Sequence, residues 1–346
     1  MILRRSAAKS ALIAPALIAP AAIALAGIAA ILFLPDMVEL FTLIDLSVFC
    51  ILAILALSLA FVWGFGGILS FGQSAFFGLG GYAYALAVVN LGDSTLPLAL
   101  AILVPMIFAG LLGYFMFYGR ISDVYLAVIT LTVSLIFYYL INSTSGPEYA
   151  IGKARLGGHN GIPGIAPINW PGRPEAPLDY AETFQLSLGV LLLVYFGLRG
   201  VLAGRFGRVL VAIRENELRA ELLGYDARLY KLGAFVIGAG IAGLAGALFA
   251  SWGSFIGPSV FSIAFAAQVI IWIMVGGVGT LAGAIIGTVL IQSLTTWLGQ
   301  TTTLAGWFGL SRIDASLVLG IVLLVFVLLV PSGLLPVARR LLGRRA

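Results

Sequence analysis

The chain has very few side chains able to do chemistry: one histidine, His159, one cysteine, Cys50, and three lysines in 346 residues. A lone histidine excludes a histidine metal cluster or a paired-histidine site, and no metal site is expected. None of the lysines, Lys9, Lys153 and Lys231, follows a G-x-x-x-x-G run, so no ATPase of the phosphate-loop kind resides here. One cysteine makes no disulfide framework, and Cys50 stands inside an apolar run, where it reads as a small buried hydrophobe. Charge is also scarce. Only 10% of residues are charged against 61% hydrophobic, more apolar surface than a soluble core could absorb, which puts the chain in the multi-span helical membrane class.

The formal charge of +5 does not point to nucleic acid. Much of the positive charge sits at the two ends, Arg4, Arg5 and Lys9, then Arg339, Arg340, Arg344 and Arg345, which is a topology signal. Apolar runs long enough to cross a bilayer, about 20 residues, fall near 11–34, 41–63, 70–90, 96–118, 121–142, 184–203, 232–250, 263–275, 280–298 and 315–332. The first could be a signal peptide, but it outruns the roughly 7–15 residues of an h-region and reads as a helix. The expected fold is therefore an all-α polytopic bundle of about ten spans in a single membrane domain, 1–346. Both termini and the basic tail 336–346 then lie in the cytoplasm. The same threading sends 143–182, rich in Gly, Pro and polar groups, outside as a loop long enough to have a task.

One segment breaks the apolar pattern: GRFGRVLVAIRENELRAELLGYDARLYK, residues 204–231, is a dense island of charge on the cytoplasmic side. Read as one helix, it sets Arg214, Glu217 and Glu221 on one face and Ala212, Asn216, Ala220 and Leu223 on the other, with Gly224 as its C-terminal cap. A short amphipathic helix across the end of a bundle can transmit a push from a soluble subunit.

Small residues recur at four-residue spacing in two spans, Gly238, Ala242, Gly246 and Ala250, then Gly279, Gly283 and Gly287 after Gly276 and Gly277. Such stripes let helix backbones approach closely. Two further segments share a loose pattern of Trp-Gly, glycine-broken turn, Ser and Phe: FVWGFGGILSFGQSAFF from Phe61 and ASWGSFIGPSVFSIAF from Ala250. An inverted-topology repeat would place them on opposite sides, as the threading does; chance likeness between glycine-rich turns is the other reading. In the first, Gly64, Gly66 and Gly67 permit a broken turn. Ser70, Gln73 and Ser74 follow at i, i+3 and i+4, hence on one helix face. They serve either as interhelical hydrogen bonds or as the lining of a translocation pathway with Gly66 and Gly67, and uncharged groups suit a neutral or zwitterionic solute.

These residues also carry a resemblance. WGFGGILSFGQSAFFGLGGYAYA resembles the glycine-rich element of branched-chain amino acid ABC importer permeases, the LivM-like subunit in particular. Three further segments match in order: LGGHNGIPG from Leu156, the charged island continuing to Ala250, and IMVGGVGTLAGAIIG from Ile273. The likeness spans about Leu43 to Leu334. It implies a non-catalytic permease of the bacterial inner membrane that binds no cofactor itself. A homologous LivH-like second permease, two ATP-binding subunits that use the ATP and a periplasmic solute-binding protein would complete it. Branched-chain or other hydrophobic amino acids are the implied cargo. Urea and short amides are carried by close relatives sharing the motifs, and a stand-alone channel or secondary carrier is the reading from another class. The family's coupling segment falls on the island, where LRAELLG has Leu218 in place of the usual first Glu of E-A-A-x-x-x-G. The expected ATPase contact is accordingly spread over Arg214, Glu215, Glu217, Arg219, Glu221 and Gly224. In the external loop, Gly157, Gly158, His159 and Asn160 are candidates to meet the binding protein or to fold back over the pathway.

Overall fold

The computed structural model describes residues 23–300, 320 and 333–337. Its apolar runs are helices: α1 Ile23–Met37, α2 Leu40–Gly64, α3 Gln73–Leu91, α4 Thr95–Tyr118, α5 Asp123–Asn142, α6 Tyr180–Ala203, α9 Ala227–Gly253, α10 Ile263–Gly276 and α11 Leu281–Gln300. Two short helices, α7 Arg205–Glu215 and α8 Glu217–Leu222, lie between α6 and α9. Among the described residues six helices, α2 to α6 and α9, are long and apolar enough to cross a membrane. The sequence threading counted 263–275 and 280–298 as two separate crossings. Here α10 and α11 form one unit bent by 117°, the geometry of a broken span or a re-entrant loop. The reason is length: 14 residues of α10 make about 21 Å, short of the roughly 30 Å hydrocarbon core. The last predicted run, 315–332, lies outside the described residues apart from Gly320, as does the first half of run 11–34.

The bundle is organised around α9, which packs on α2, α3 and α4. Its small residues allow this: a Cβ on Gly246 would stand 1.9 Å from the Phe77 carbonyl oxygen of α3, and one on Gly243 2.2 Å from that of Ala101 in α4. α2 is enclosed so fully that every residue from Ile51 to Val62 is buried. α9 runs antiparallel to α2, for Gly238 faces Val62 near one end while the Trp252 indole donates to the Ile44 carbonyl at 3.2 Å near the other.

The segment 143–179 is folded onto the bundle. A hairpin, β1 Ala150–Ile151 with β2 Ala154–Arg155, is pinned to the end of α3 by Asn90, which donates to Ile151 O at 2.9 Å and accepts from Lys153 N at 2.7 Å. Asn169 clasps the α3–α4 turn, accepting from Ser94 N at 2.8 Å and donating to Asp93 Oδ1 at 2.8 Å. That amide donation holds the Asp93 carboxyl below its ordinary range. Span 184–203 starts four residues early, at Tyr180, because Asp179 and Glu182 close a capping box.

The charged island is not the single helix its periodicity implied. Asn216, at φ −161° and ψ 100°, is extended, and its side chain accepts from Arg219 N at 2.9 Å, ending α7 and starting α8. Faces computed across that break, with Arg214 aligned on Glu217 and Glu221, do not exist. Gly224 does terminate α8: at φ 88° it lets Tyr225 N reach Ala220 O at 3.2 Å.

Candidate functional site

The two glycine-broken segments occupy equivalent places. Each follows a Trp-Gly at a helix end, Trp63-Gly64 of α2 and Trp252-Gly253 of α9, and the antiparallel pairing puts those ends at opposite poles of the bundle. Each then turns back inside as non-helical chain before a new helix begins. In the first break Gly67, at φ 72°, makes the turn, and Ile68, Ser70 and Gln73 are buried. In the second, β4 Phe255–Ile256 and a 3-10 turn over Pro258–Phe261 run along α3: Ile256 sits against Gly81 and Phe261 against Gly78. The helices that follow converge, with Phe77 of α3 and Phe265 of α10 5.3 Å apart between ring centroids. Two interrupted helices meeting inside the bundle, entered from opposite poles, is the arrangement of an inverted-topology repeat.

Broken backbone inside a membrane protein must find partners for its exposed amides and carbonyls. α5 supplies them. Thr130 Oγ1 accepts from Phe71 N at 3.2 Å, Ser134 Oγ meets Ser74 Oγ at 3.2 Å, and Ser70 Oγ accepts from Gly72 N at 3.1 Å. Ser74 Oγ donates to Phe71 O at 3.2 Å. Thr130 and Ser134 escaped the sequence reading, which treated 121–142 as uniformly apolar. Two hydroxyls four residues apart in such a run, hence on one face, were the available signal.

Ser70, Gln73 and Ser74 are thus together, but they do different things. Both serines have partners, Ser70 within the break and Ser74 both there and on α5. Gln73, 1% exposed, has no hydrogen-bond partner for either amide atom and points toward Gly238 of α9. All buried polar residues among those described are uncharged, so the interior carries hydrogen-bonding capacity without a fixed charge. An unpaired buried amide costs about 1–3 kcal/mol. Gln73→Leu, similar in volume and free of polar atoms, is therefore expected to raise the thermal midpoint of the purified protein; a lowered midpoint would mean the amide is bonded in the folded state.

The external motif folds against the second break. β3 Ile162–Pro163 pairs antiparallel with β4, Ile162 opposite Ile256, and Gly161 packs on the Ile256 carbonyl. Gly157 and Gly158 shape the 3-10 turn beneath, Gly158 against Ser145, while His159 and Asn160 are exposed and His159 Nδ1 lies 3.4 Å from Ser145 Oγ. Among the other glycines, Gly276, Gly283 and Gly287 bring α10 and α11 into backbone contact; a Cβ on Gly287 would sit 2.1 Å from Trp272 O. Gly277 and Gly279 lie outside both helices, in the turn joining them, and Gly279 abuts Gly64 at the end of α2.

In the island, Glu217 is paired with Lys231 at 2.7 Å and Arg214 with Glu215, so part of the charge is spent within the chain. Arg219 and Glu221 are exposed. So are three leucines that the sequence reading did not single out for contact: Leu218, Leu222 and Leu223 are 68%, 81% and 73% exposed on α8 and its cap.

Residues 41–328 match the family described as the permease component of the branched-chain amino acid transport system. The chain belongs to that family. The high-affinity branched-chain amino acid transport system permease protein LivM of Escherichia coli K12 is 29% identical over 322 residues, covering 88% of this chain and 72% of LivM. LivM of Salmonella typhimurium LT2 is 30% identical over 301 residues, covering 83% and 68%. No solved structure matches the chain. The permease is accordingly a multi-pass protein of the inner membrane.

Proposed function

We propose that the permease is one transmembrane subunit of an ATP-driven importer for branched-chain or other hydrophobic amino acids. It works with a homologous second permease, two ATP-binding subunits and an external solute-binding protein. The observation that carries the ATP-driven part is the leucine group on α8. Leu218, Leu222 and Leu223 stand exposed among Glu217, Arg219 and Glu221 on and just after a six-residue helix too short to span a membrane, the profile of a patch that a soluble partner covers. No phosphate loop occurs in the chain, so the driving subunit is another protein.

The interrupted helices supply the pathway. The first break, with Gly66, Gly67, Ser70, Gln73 and Ser74, contains backbone and side-chain groups that could take up a zwitterion once the α3 and α10 ends separate. The absence of buried charge among the described residues suits a solute without net charge. His159 and Asn160 are the exposed part of the external motif available to the binding protein.

The test is reconstitution. Proteoliposomes holding the permease, its partner permease and the ATP-binding subunits, given the binding protein and labelled leucine, should accumulate leucine only with ATP inside. Urea accumulation in its place would assign the amide-type cargo; leucine flux through the permease alone would make it a channel or carrier.

A further inference from the structure

Three glycines from two separate segments converge on one arginine of the charged island. The Arg214 Nη1 donates to the carbonyl oxygen of Gly64, the last residue of α2, while Nε donates to Glu215 Oε1 at 3.2 Å. A Cβ on Gly67, in the turn of the first break, would lie 2.8 Å from Arg214 Cγ. Gly279, in the α10–α11 turn, completes the junction: a Cβ on Gly64 would be 2.7 Å from Gly279 N, and one on Gly279 would be 3.7 Å from Arg214 Nη1. A side chain on Gly67 would crowd the arginine stem and one on Gly64 would push the α10–α11 turn away.

We propose that Arg214 is a positioning residue that ties α7 to the first break and to the α10–α11 turn at once, rather than a contact for the ATPase. The inference rests on the ATP-driven reading for its purpose, and on this junction for its substance. Each of its three guanidinium nitrogens has a partner inside the chain: two are held by Glu215, the third by the α2 terminus. Glu215 fixes the plane of the fork, and a cation at the C-terminal carbonyls of α2 also suits the helix dipole. Movement of α7 by a partner on α8 would therefore drag the end of α2, the Gly67 turn and the α10–α11 turn together. The first two belong to the first break, and the α10–α11 turn lies at the far end of the helix that follows the second. A lysine keeps the charge but has no planar fork, so it cannot hold Glu215 and Gly64 O in the same geometry.

Two measurements test this. In a Cys50→Ala background, spin labels on Ala212→Cys and Val278→Cys, both exposed positions, report the distance from α7 to the α10–α11 turn in the full chain in nanodiscs. With Arg214 present a narrow distribution is expected, broadening in Arg214→Lys and more in Arg214→Ala. In the complete transporter, Arg214→Ala is expected to keep its ATPase subunits but to lose about tenfold or more in solute moved per ATP, the size of one charge-assisted hydrogen bond. An unchanged distance distribution overturns the proposal, as does loss of the ATPase subunits, which would make Arg214 a docking residue. The distance arm needs neither ATP nor a partner, so a wild-type complex that failed to use ATP would sink the functional reading and leave the junction to be decided separately.

Discussion

Leu218→Asp combined with Leu222→Asp is expected to strip the ATP-binding subunits from the permease while leaving it folded in the membrane. Both side chains stand out from α8, 68% and 81% exposed, so neither belongs to the buried core. Fully burying a leucine side chain contributes about 2 kcal/mol, and two of them correspond to about a thousandfold in Kd. The charged neighbours are a weaker target: Glu217 is held by Lys231, and exposed ion pairs on a rim contribute on the order of 1 kcal/mol or less. Co-purification on a tagged permease reads the result directly. Full retention of the ATP-binding subunits by the double variant, with loss in Arg219→Ala and Glu221→Ala, would return the contact to the charged residues.

Gly80→Val and Gly246→Val are expected to abolish the folded protein. At the α3–α9 crossing a Cβ on Gly80 would come 2.3 Å from the Gly243 Cα, and one on Gly246 1.9 Å from Phe77 O. In both cases the obstacle is backbone, which cannot rotate aside, so the helices must separate and the layer of α3, α9 and α4 must reopen. Overpacking a rigid site costs about 1–3 kcal/mol even where side chains can yield. Here the penalty exceeds that, and fluorescence-detected size exclusion should show no monodisperse peak. Gly189→Ala, where the added Cβ meets nothing within 4 Å, is the control and should elute as the parent does.

The helical class and most span positions were legible because a run of apolar residues in lipid has few alternatives to a helix. The Trp-Gly segments were legible as a pair because their glycines mark backbone that leaves the helical region. The island's break at Asn216 was not, since periodicity extrapolates through a residue whose side chain instead caps the next helix. The α10–α11 bend was hidden for a related reason: hydropathy reports that a segment is apolar, not whether it crosses. The partners of the first break, Thr130 and Ser134, sit about 60 residues from it, at a distance in sequence over which pattern carries no information about contact. Gly279 read as one more member of a four-residue stripe, whereas its φ of 84° places it in a turn against Gly64.

Solute is expected to pass this permease only when a separate ATPase acts on the α7–α8 segment. The most direct measurement is leucine accumulation in proteoliposomes, comparing the complete transporter with and without internal ATP against the permease alone. Accumulation that requires ATP, the binding protein and the ATP-binding subunits together is the predicted result. Leucine flux through the permease alone, at a rate that added ATP does not change, would contradict it.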